Sequence, residues 1–229
     1  MNIAIIPARG GSKRIPRKNI REFCGKPMIA WPIAAAAKSG LFEHIIVTTD
    51  DEEIAEVARQ AGAQVPFTRP AELSDDHAGT TDVVVHALEW AIGAGWPVDA
   101  ACCIYATAAF IAPEDLQDAH AQLTAGCDFV FPALRYSHPP QRGFVRADDG
   151  SPALLQPEHR STRTQDLPAV FHDAGQFYWG TRDAWLERRP VFGENARFVE
   201  LPASRAVDID RPEDWDMAER LFAATRERQ

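Results

Sequence analysis

The sequence predicts an α/β fold in which helices cover both faces of a mostly parallel, Rossmann-like sheet. Short apolar or β-branched runs alternate with longer segments of helical periodicity from Asn2 to Ala133, and this alternation is typical of βαβ units. Right-handed crossovers between the strands would wind the helices onto both faces. The length of 229 residues suits a single domain covering residues 1–229.

The strands of this sheet are predicted by short apolar runs that end at turn residues. Those runs cover residues 2–6, 45–49, 64–68, 100–105 and 129–133. The helices are predicted by apolar residues at helical spacing and by end signals, such as Gly40 after the first helix and Asp51 before the second. They cover residues 27–39, 52–61, 81–94, 113–123 and 211–226.

The pattern becomes irregular in the second half of the chain. Residues 143–156 predict a hairpin, residues 158–167 are polar and loop-like, and residues 171–179 and 198–201 return to strand character. We expect approximately residues 135–190 to form a small lid or dimerisation segment inserted in the domain. The sequence does not decide between these two roles.

The bulk composition narrows the functional classes. A formal net charge of −9 argues against a general nucleic-acid partner, which needs a basic surface. The four cysteines form no CxxC pair and no zinc-ligand spacing. Cys102 and Cys103 lie in an apolar run, so we expect them to be buried free thiols, which suit a reducing cytosol. The sequence shows neither a secretory signal nor a run of about 18 apolar residues. We therefore expect a cytoplasmic protein with no membrane partner.

A basic loop that contains two glycines, Gly10 and Gly11, follows the first strand directly. Its basic side chains are Arg9, Lys13, Arg14, Arg17, Lys18 and Arg21. Ligands of open α/β sheets bind at the carboxyl ends of the strands. The two glycines allow a close backbone approach with their N–H groups pointing at the ligand, and Arg and Lys supply the charge that a triphosphate requires. The Walker and dinucleotide-binding glycine patterns are both absent. The loop predicts a phosphate-binding site of another kind, the alternative being a solvated basic loop.

Two aspartates near the end of the chain suggest a metal site. Residues 207–210 are interpreted as the end of a strand, where residues two apart share one face, so that Asp208 and Asp210 can point to one site. Carboxylate ligands beside phosphate suit Mg²⁺. The alternative for Asp210 is a helix N-cap, which leaves Asp208 unexplained.

Several motifs occur in order along the chain. They are PARGGSKRIPRKNI at residues 7–20, GKPMI at 25–29, VTTD at 47–50, RPAELS at 69–74 followed by Asp76 and Thr80, and VDID at 207–210 followed by Asp214 and Trp215. Together they resemble the acylneuraminate cytidylyltransferases over nearly the whole chain. The resemblance implies a nucleotide-diphospho-sugar transferase fold, CTP and an acidic nine-carbon sugar as substrates, Mg²⁺ as cofactor and a homodimer.

The resemblance also implies roles for individual residues. The catalytic residues would be Arg9, Lys18 and Asp208, and the metal ligands Asp208 and Asp210. The nucleotide-binding set is Ala8, Arg9, Gly10, Gly11, Ser12, Lys13, Lys18, Asn19, Arg69 and Thr80. The sugar-binding set is Tyr105, Thr107, His172, Asp173, Gln176 and Tyr178. Thr80 is also a candidate N-cap of its helix, and no residue is assigned as general base.

The chain departs from the family pattern on the sugar side. IYATAAFI at residues 104–111 stands where the family has LQPTSPLR, so Tyr105 replaces the glutamine and Ile111 the arginine, while Thr107 is kept. Together with FHDAGQFYW at residues 171–179, this segment resembles the pseudaminic acid branch, whose product serves flagellin or surface-glycan modification. Other ulosonates (legionaminate, sialate or 3-deoxy-octulosonate) and a non-catalytic nucleotide-binding module remain alternatives.

Overall fold

The computed structural model describes residues 1–75 and 78–226. Its strands are β1 (Asn2–Pro7), β2 (Glu22–Phe23), β3 (Lys26–Pro27), β4 (His44–Thr48), β5 (Ala100–Ile104), β6 (Phe129–Arg135), β7 (Phe144–Arg146), β8 (Pro152–Leu154), β9 (Phe171–Asp173), β10 (Phe177–Thr181) and β11 (Ala196–Glu200). Its helices are α1 (Ala30–Ser39), α2 (Glu52–Gln60), α3 (Thr80–Gly93), α4 (Pro113–Thr124), α5 (Arg182–Leu186) and α6 (Pro212–Arg226).

The main sheet has the strand order β11-β6-β10-β5-β1-β4, with β9 paired to β6. The strands β1, β4, β5, β6 and β11 run in one direction, whereas β9 and β10 run against them. The predicted α/β class and the mostly parallel sheet are confirmed. The sheet is mixed, however, because β10 lies antiparallel between β5 and β6.

Two hydrophobic clusters cover the two faces of the sheet. Ala4 and Ile6 of β1 pack in one cluster with residues of α1, α2 and α4, and the alternating Ile3 and Ile5 pack in the other with residues of α3 and α5. The continuous apolar run of β1 is therefore buried on both faces, as expected for a central strand of an α/β sheet. Helices lie on both faces, as predicted.

A third cluster attaches α6 to the base of the basic loop. Ile15 in the loop is fully buried there together with Phe23. The ring of Phe23 lies edge-on to Trp215 and Phe222 of α6, with centroid distances of 5.5 and 5.2 Å. This packing holds the loop against the C-terminal helix.

Several predicted elements differ from the structure. Residues 64–68 do not form a strand: Gln64 makes one isolated bridge to Ile46, and Pro66, which has no backbone N–H to donate, follows. Helix α1 begins later than predicted because residues 26–27 pair with β2. The predicted strand at 171–179 is divided into β9 and β10, and Gly175 between them has a φ of 62°.

Residues 135–190 contain the predicted hairpin, formed by β7 and β8, and the short helix α5, which was not predicted. The side chains of Phe144, Val145 and Leu155 on and beside the hairpin are 65%, 53% and 59% exposed. Elsewhere, Cys102 and Cys103 are buried free thiols, as expected. Among the described residues, none of the helices has the length and apolar character needed to span a bilayer.

Candidate active site

A cavity of about 650 Å³ lies where β1 and β5 end. Its lining includes Arg9, Ser12, Lys13, Arg14, Lys18, Asn19, Arg69, Asp75, Thr80, Tyr105 and Thr107. Five of these side chains are basic and one is acidic. The structure therefore brings most of the predicted nucleotide-binding set together in one concave, positively charged site.

Three members of that predicted set do not line this cavity. Ala8 is buried, and its N–H donates to the Thr48 carbonyl at 3.0 Å. The N–H of Gly10 donates to Asp50 Oδ1 at 3.0 Å, and Gly11 is exposed. The prediction that both glycine N–H groups point at the ligand is wrong for Gly10, because a carboxylate of the protein itself occupies its donor.

Two cations of the basic loop have structural partners. Arg17 donates two hydrogen bonds to Asp51, at 2.5 and 3.0 Å, and a further one to Glu53. The bond from Arg17 holds the pKa of Asp51 below its usual value. Arg21 lies 4.7 Å from the ring centroid of Trp215. These contacts tie the loop to α2 and α6 and leave the other cations to face the cavity.

Asn19 supports the loop from inside. Its Nδ2 donates to the Arg9 carbonyl at 3.0 Å, while Arg9 Nη1 donates to the Asp75 carbonyl at 3.0 Å. The amide of Asn19 lines the cavity, but its nitrogen is engaged with the backbone rather than directed at a ligand. Asn19 therefore fixes the position of Arg9.

Lys18 joins the basic loop to the predicted metal ligands. Its Nζ donates to the Ile209 carbonyl and lies 3.6 Å from Asp210 Oδ1. Burial lowers the pKa of Lys18, and the nearby Asp210 and Asp208 oppose that shift. Arg14, for which no individual role was predicted, donates to Asp210 Oδ2 at 2.6 Å. The phosphate and metal halves of the predicted site are thus adjacent.

The segment that carries the two aspartates is not a strand, contrary to prediction. Burial still alternates along it, because Ile209 is buried and Asp208 is exposed. The alternative role of Asp210 as N-cap is also wrong. Asp214 Oδ2 accepts the N–H groups of Asp210 and Arg211 at 3.0 and 2.7 Å, so the carboxylate of Asp210 is turned to the cations of the loop.

These residues fit a magnesium ion that is shared with substrate phosphates. Mg²⁺ is usually held by one or two carboxylates together with phosphate oxygens and water, and Asp208 and Asp210 are two carboxylates close to the basic cavity. Over residues 1–75 and 78–226, no three His, Cys, Asp or Glu side chains form a metal-binding group. Two carboxylates fit Mg²⁺ only where phosphate oxygens and water supply the remaining ligands.

Arg69 and Thr80 form the opposite wall of the cavity. Arg69 is 5% exposed, and its Nε and Nη2 have no hydrogen-bond partner among the described residues. Burial lowers its pKa, with partial compensation by Asp50, 4.0 Å from Nη2. Thr80 is the first residue of α3, whose N-cap is Gly79, so the hydroxyl is not a cap. Asp76, named above with this motif, lies outside the described residues.

A second cavity of about 280 Å³ adjoins the first. Its lining includes Tyr105, Thr107, Phe110, Asp173, Gln176, Tyr178 and Asp208. Tyr105 and Thr107 line both cavities. Tyr178 donates its hydroxyl to Asp173, and burial raises the pKa of both Tyr105 and Tyr178. Five of the six predicted sugar-side residues therefore meet at this second cavity.

His172 is the predicted sugar-side residue that the structure places elsewhere. It lines neither cavity. It is exposed on β9, next to the half-buried Asp173, and successive strand residues point to opposite faces. Its ring lies 4.7 Å from that of Tyr136. In contrast, Gln176 and Tyr178 do share a side of the sheet, while Phe177 packs in the cluster on the other face, as predicted.

Comparisons with known proteins agree with this geometry. Residues 3–221 match the family model described as Cytidylyltransferase. The chain is 41% identical over 227 residues to the pseudaminic acid cytidylyltransferase of Campylobacter jejuni, which covers 99% of this chain and 98% of that protein. It is 38% identical over 209 residues to a Helicobacter pylori protein named pseudaminic acid cytidylyltransferase and UDP-2,4-diacetamido-2,4,6-trideoxy-β-L-altropyranose hydrolase, covering 90% of this chain and 40% of that one.

The fold has a solved counterpart in CMP:2-keto-3-deoxy-manno-octonic acid synthetase complexed with CTP. The TM-score is 0.72 at 20% sequence identity, with 98% of this chain and 99% of that chain covered. The predicted nucleotidyltransferase-type fold is thereby confirmed. From the family match and the identity to its relatives, the chain belongs to the cytidylyltransferase family.

Proposed function

We propose that this protein joins CTP to pseudaminic acid and releases CMP-pseudaminic acid and pyrophosphate. The observation that carries the proposal is the pair of adjoining cavities, one basic and one rich in hydroxyl and carboxylate groups, which share Tyr105 and Thr107. The choice of sugar rests on the 41% identity to the Campylobacter jejuni enzyme over almost the whole chain. The same choice of sugar is supported by two departures of this sequence from the family pattern, Tyr105 and residues 171–179.

In this reaction the anomeric hydroxyl of the sugar attacks the α-phosphate of CTP in line. A bond forms between the sugar oxygen and the α-phosphorus, and the bond from the α-phosphorus to the oxygen that bridges to the β-phosphate breaks. Pyrophosphate leaves with that oxygen, and the hydroxyl proton goes to solvent. Arg9, Lys13 and Lys18 would hold the triphosphate and offset the charge that develops on the departing pyrophosphate. Burial of Lys18 strengthens this effect, because charge interactions are stronger away from bulk water. No covalent intermediate with the protein is required.

Magnesium is part of the proposal. Asp208 and Asp210 would hold it, and the ion would supply further neutralisation of phosphate charge. The proposal is supported by the contacts of Asp210 with Arg14 and Lys18, which join one of the proposed metal ligands to two cations of the basic loop. The chain's own cations and carboxylates thus converge on the position where pyrophosphate would depart.

We propose that residues 135–190 serve as a dimerisation segment, which a second copy of the chain covers. The support is the exposed apolar surface of its hairpin, where Phe144 and Val145 are more than half exposed. Exposed apolar patches of this kind are typical of interaction sites. We further propose that the enzyme acts in the cytosol, where the free thiols Cys102 and Cys103 remain reduced, and that its product serves flagellin or surface-glycan modification.

The proposed function is tested by measuring pyrophosphate release from CTP and Mg²⁺ with a panel of acidic sugars. We expect pseudaminic acid to give the highest kcat/KM, above N-acetylneuraminate, legionaminic acid and 3-deoxy-octulosonate. A preference for another ulosonate would correct the sugar and leave the reaction class intact. CTP binding without release of pyrophosphate in the presence of any of these sugars would instead indicate a nucleotide-binding module.

A further inference from the structure

The two cavities differ in the sign of their charge. The basic side chains Arg9, Lys13, Arg14, Lys18 and Arg69 all line the first cavity. The second is lined by two carboxylates, one amide and three hydroxyls, and by no Lys, Arg or His among the residues that the structure describes. A carboxylate on the sugar is attracted to the first and repelled by the second. Groups that donate hydrogen bonds suit the second.

Gln176 is the buried acceptor of the second cavity. The side chain is 4% exposed, and its Nε2 donates to the backbone carbonyl of Arg205 at 2.5 Å. Because that carbonyl can only accept, it fixes which way the amide is turned. Oε1 is then the buried amide atom that has no hydrogen-bond partner among the described residues, and the residue that carries it lines the second cavity.

The two carboxylates of this cavity already have donors or contact solvent. Asp173 accepts the hydroxyl of Tyr178 on one oxygen and the N–H of Gly175, at 3.0 Å, on the other. Asp208 is exposed. A buried acceptor without a donor is unfavourable, so a ligand donor that reaches Gln176 Oε1 removes a penalty that is present in the free protein.

We propose that Gln176 is a specificity-determining residue: its side-chain oxygen accepts an acylamino N–H of the sugar, whose carboxylate faces the basic loop. The inference rests on the proposed function and deepens it. An N–H is favoured over a hydroxyl because the sugar named for a Legionella pneumophila relative that matches nearly the whole chain, N,N′-diacetyllegionaminic acid, carries two acetyl-substituted nitrogens. Amide N–H groups are therefore among the donors that such sugars offer.

The test uses a matched series of sugars in which each acetamido N–H in turn is replaced by an ester oxygen. This change removes one donor and keeps the size and the carbonyl. For the unchanged protein we expect kcat/KM to fall about 10- to 100-fold for one member of the series. In Gln176→Leu we expect the kcat/KM values of the same pair of sugars to differ by less than about threefold. The KM for CTP should stay within about twofold of that of the unchanged protein.

Gln141→Leu is the matched control. Gln141 is also buried, donates Nε2 to a backbone carbonyl (that of Pro168, at 3.0 Å), and has an unpartnered Oε1, but it lines neither cavity. It should lose a similar amount of thermal stability and keep the full preference for the amide. Gln176→Glu keeps an acceptor oxygen and loses the donor to Arg205, so it should retain the preference with a raised KM for the sugar.

Three results overturn the inference and leave the proposed function intact. The first two are equal use of amide and ester by the unchanged protein and an unchanged preference in Gln176→Leu. Loss of the preference in Gln141→Leu as well would also overturn it, because the effect would then come from general loosening of the fold. Absence of pyrophosphate release with every acidic sugar overturns the proposed function, and the inference with it.

Discussion

The substitution Gly10→Ala should distinguish the structural role of the basic loop from its chemistry. A Cβ atom at Gly10 would lie 2.7 Å from Oδ2 and 3.0 Å from Cβ of Asp51. Asp51 cannot easily move away, because it caps α2 by accepting the Ile54 N–H at 3.0 Å and is held by two hydrogen bonds from Arg17. The neighbouring Gly11 has no atom within 4 Å of its ideal Cβ, so Gly11→Ala is a matched control.

The expected loss of folding stability in Gly10→Ala follows from these contacts. Forcing extra atoms into a tight contact costs about 1–3 kcal/mol, and disturbing the N-cap costs about 0.5–2 kcal/mol. We expect a total of about 2–4 kcal/mol. For a chain of this length, each kcal/mol shifts Tm by about 2–4 °C, so Gly10→Ala should melt roughly 5–12 °C lower. Gly11→Ala should lie within about 2 °C of the unchanged protein, since an alanine at a tolerant position slightly stabilises.

The assay is thermal unfolding followed by circular dichroism, with CTP binding by calorimetry as a second readout. The pH dependence gives an internal check. Arg17 lowers the pKa of Asp51 in the folded protein. The ion pair of Arg17 and Asp51 therefore contributes to the free energy of unfolding above the ordinary carboxyl pKa, about 3.9, and this contribution is lost as the pH falls through the folded pKa. The Tm difference between the Gly10 variant and the unchanged protein should therefore shrink below about pH 4. Equal melting of the Gly10 and Gly11 variants at pH 7 would refute the reasoning.

Three further predictions concern the proposed chemistry. Lys18→Ala should lower kcat/KM about 100- to 1,000-fold in the pyrophosphate assay, because it removes a half-buried cation from the site of charge development; near-normal turnover would contradict this role. Asp208→Asn should abolish activation by Mg²⁺ while metal-free CTP binding is kept, as measured by calorimetry; undiminished Mg²⁺ activation would count against the metal site. Tyr105→Phe should raise the KM for the sugar several-fold and that for CTP by less than about twofold; the reverse pattern would mean that Tyr105 serves the nucleotide.

The sequence predicted which residues lie at the candidate site better than it predicted the role of each residue. The density of basic residues after β1 indicated an anion site, and the lining of the first cavity agrees with that prediction. That Arg17 is structural could not be foreseen, because its partners Asp51 and Glu53 lie more than 30 residues away in sequence and only the fold brings them together. The same is true of Arg14 and Asp210, which are 196 positions apart.

The fold was predicted from local periodicity, which reports burial but not strand direction. Residues 171–179 were predicted to have strand character without a direction, and nothing in the sequence of β10 marks that it runs antiparallel to β5 and β6. Similarly, residues 64–68 include the β-branched Val65 and Thr68 and the apolar Phe67, but the single bridge at Gln64 shows that a partner along the whole segment is lacking. Pairing of strands is a tertiary property, so such errors are expected where periodicity is the only signal.

The reversal of β10 explains why the two cavities meet. Strand β5 lies between β1 and β10, and the parallel β1 delivers the basic loop to the carboxyl end of β5. Because β10 runs antiparallel, its first residue, Phe177, pairs with Ile104 at the end of β5, and the Tyr105 N–H donates to the Gln176 carbonyl at 2.8 Å. A parallel strand would have brought its far end to this edge and left Gln176 at the opposite side of the sheet. Tyr105 and Thr107 follow β5 directly and therefore line both cavities. In the proposed reaction this is the place where the two substrates would meet, because an in-line transfer requires the two reacting atoms to be held within about 3–3.5 Å of each other.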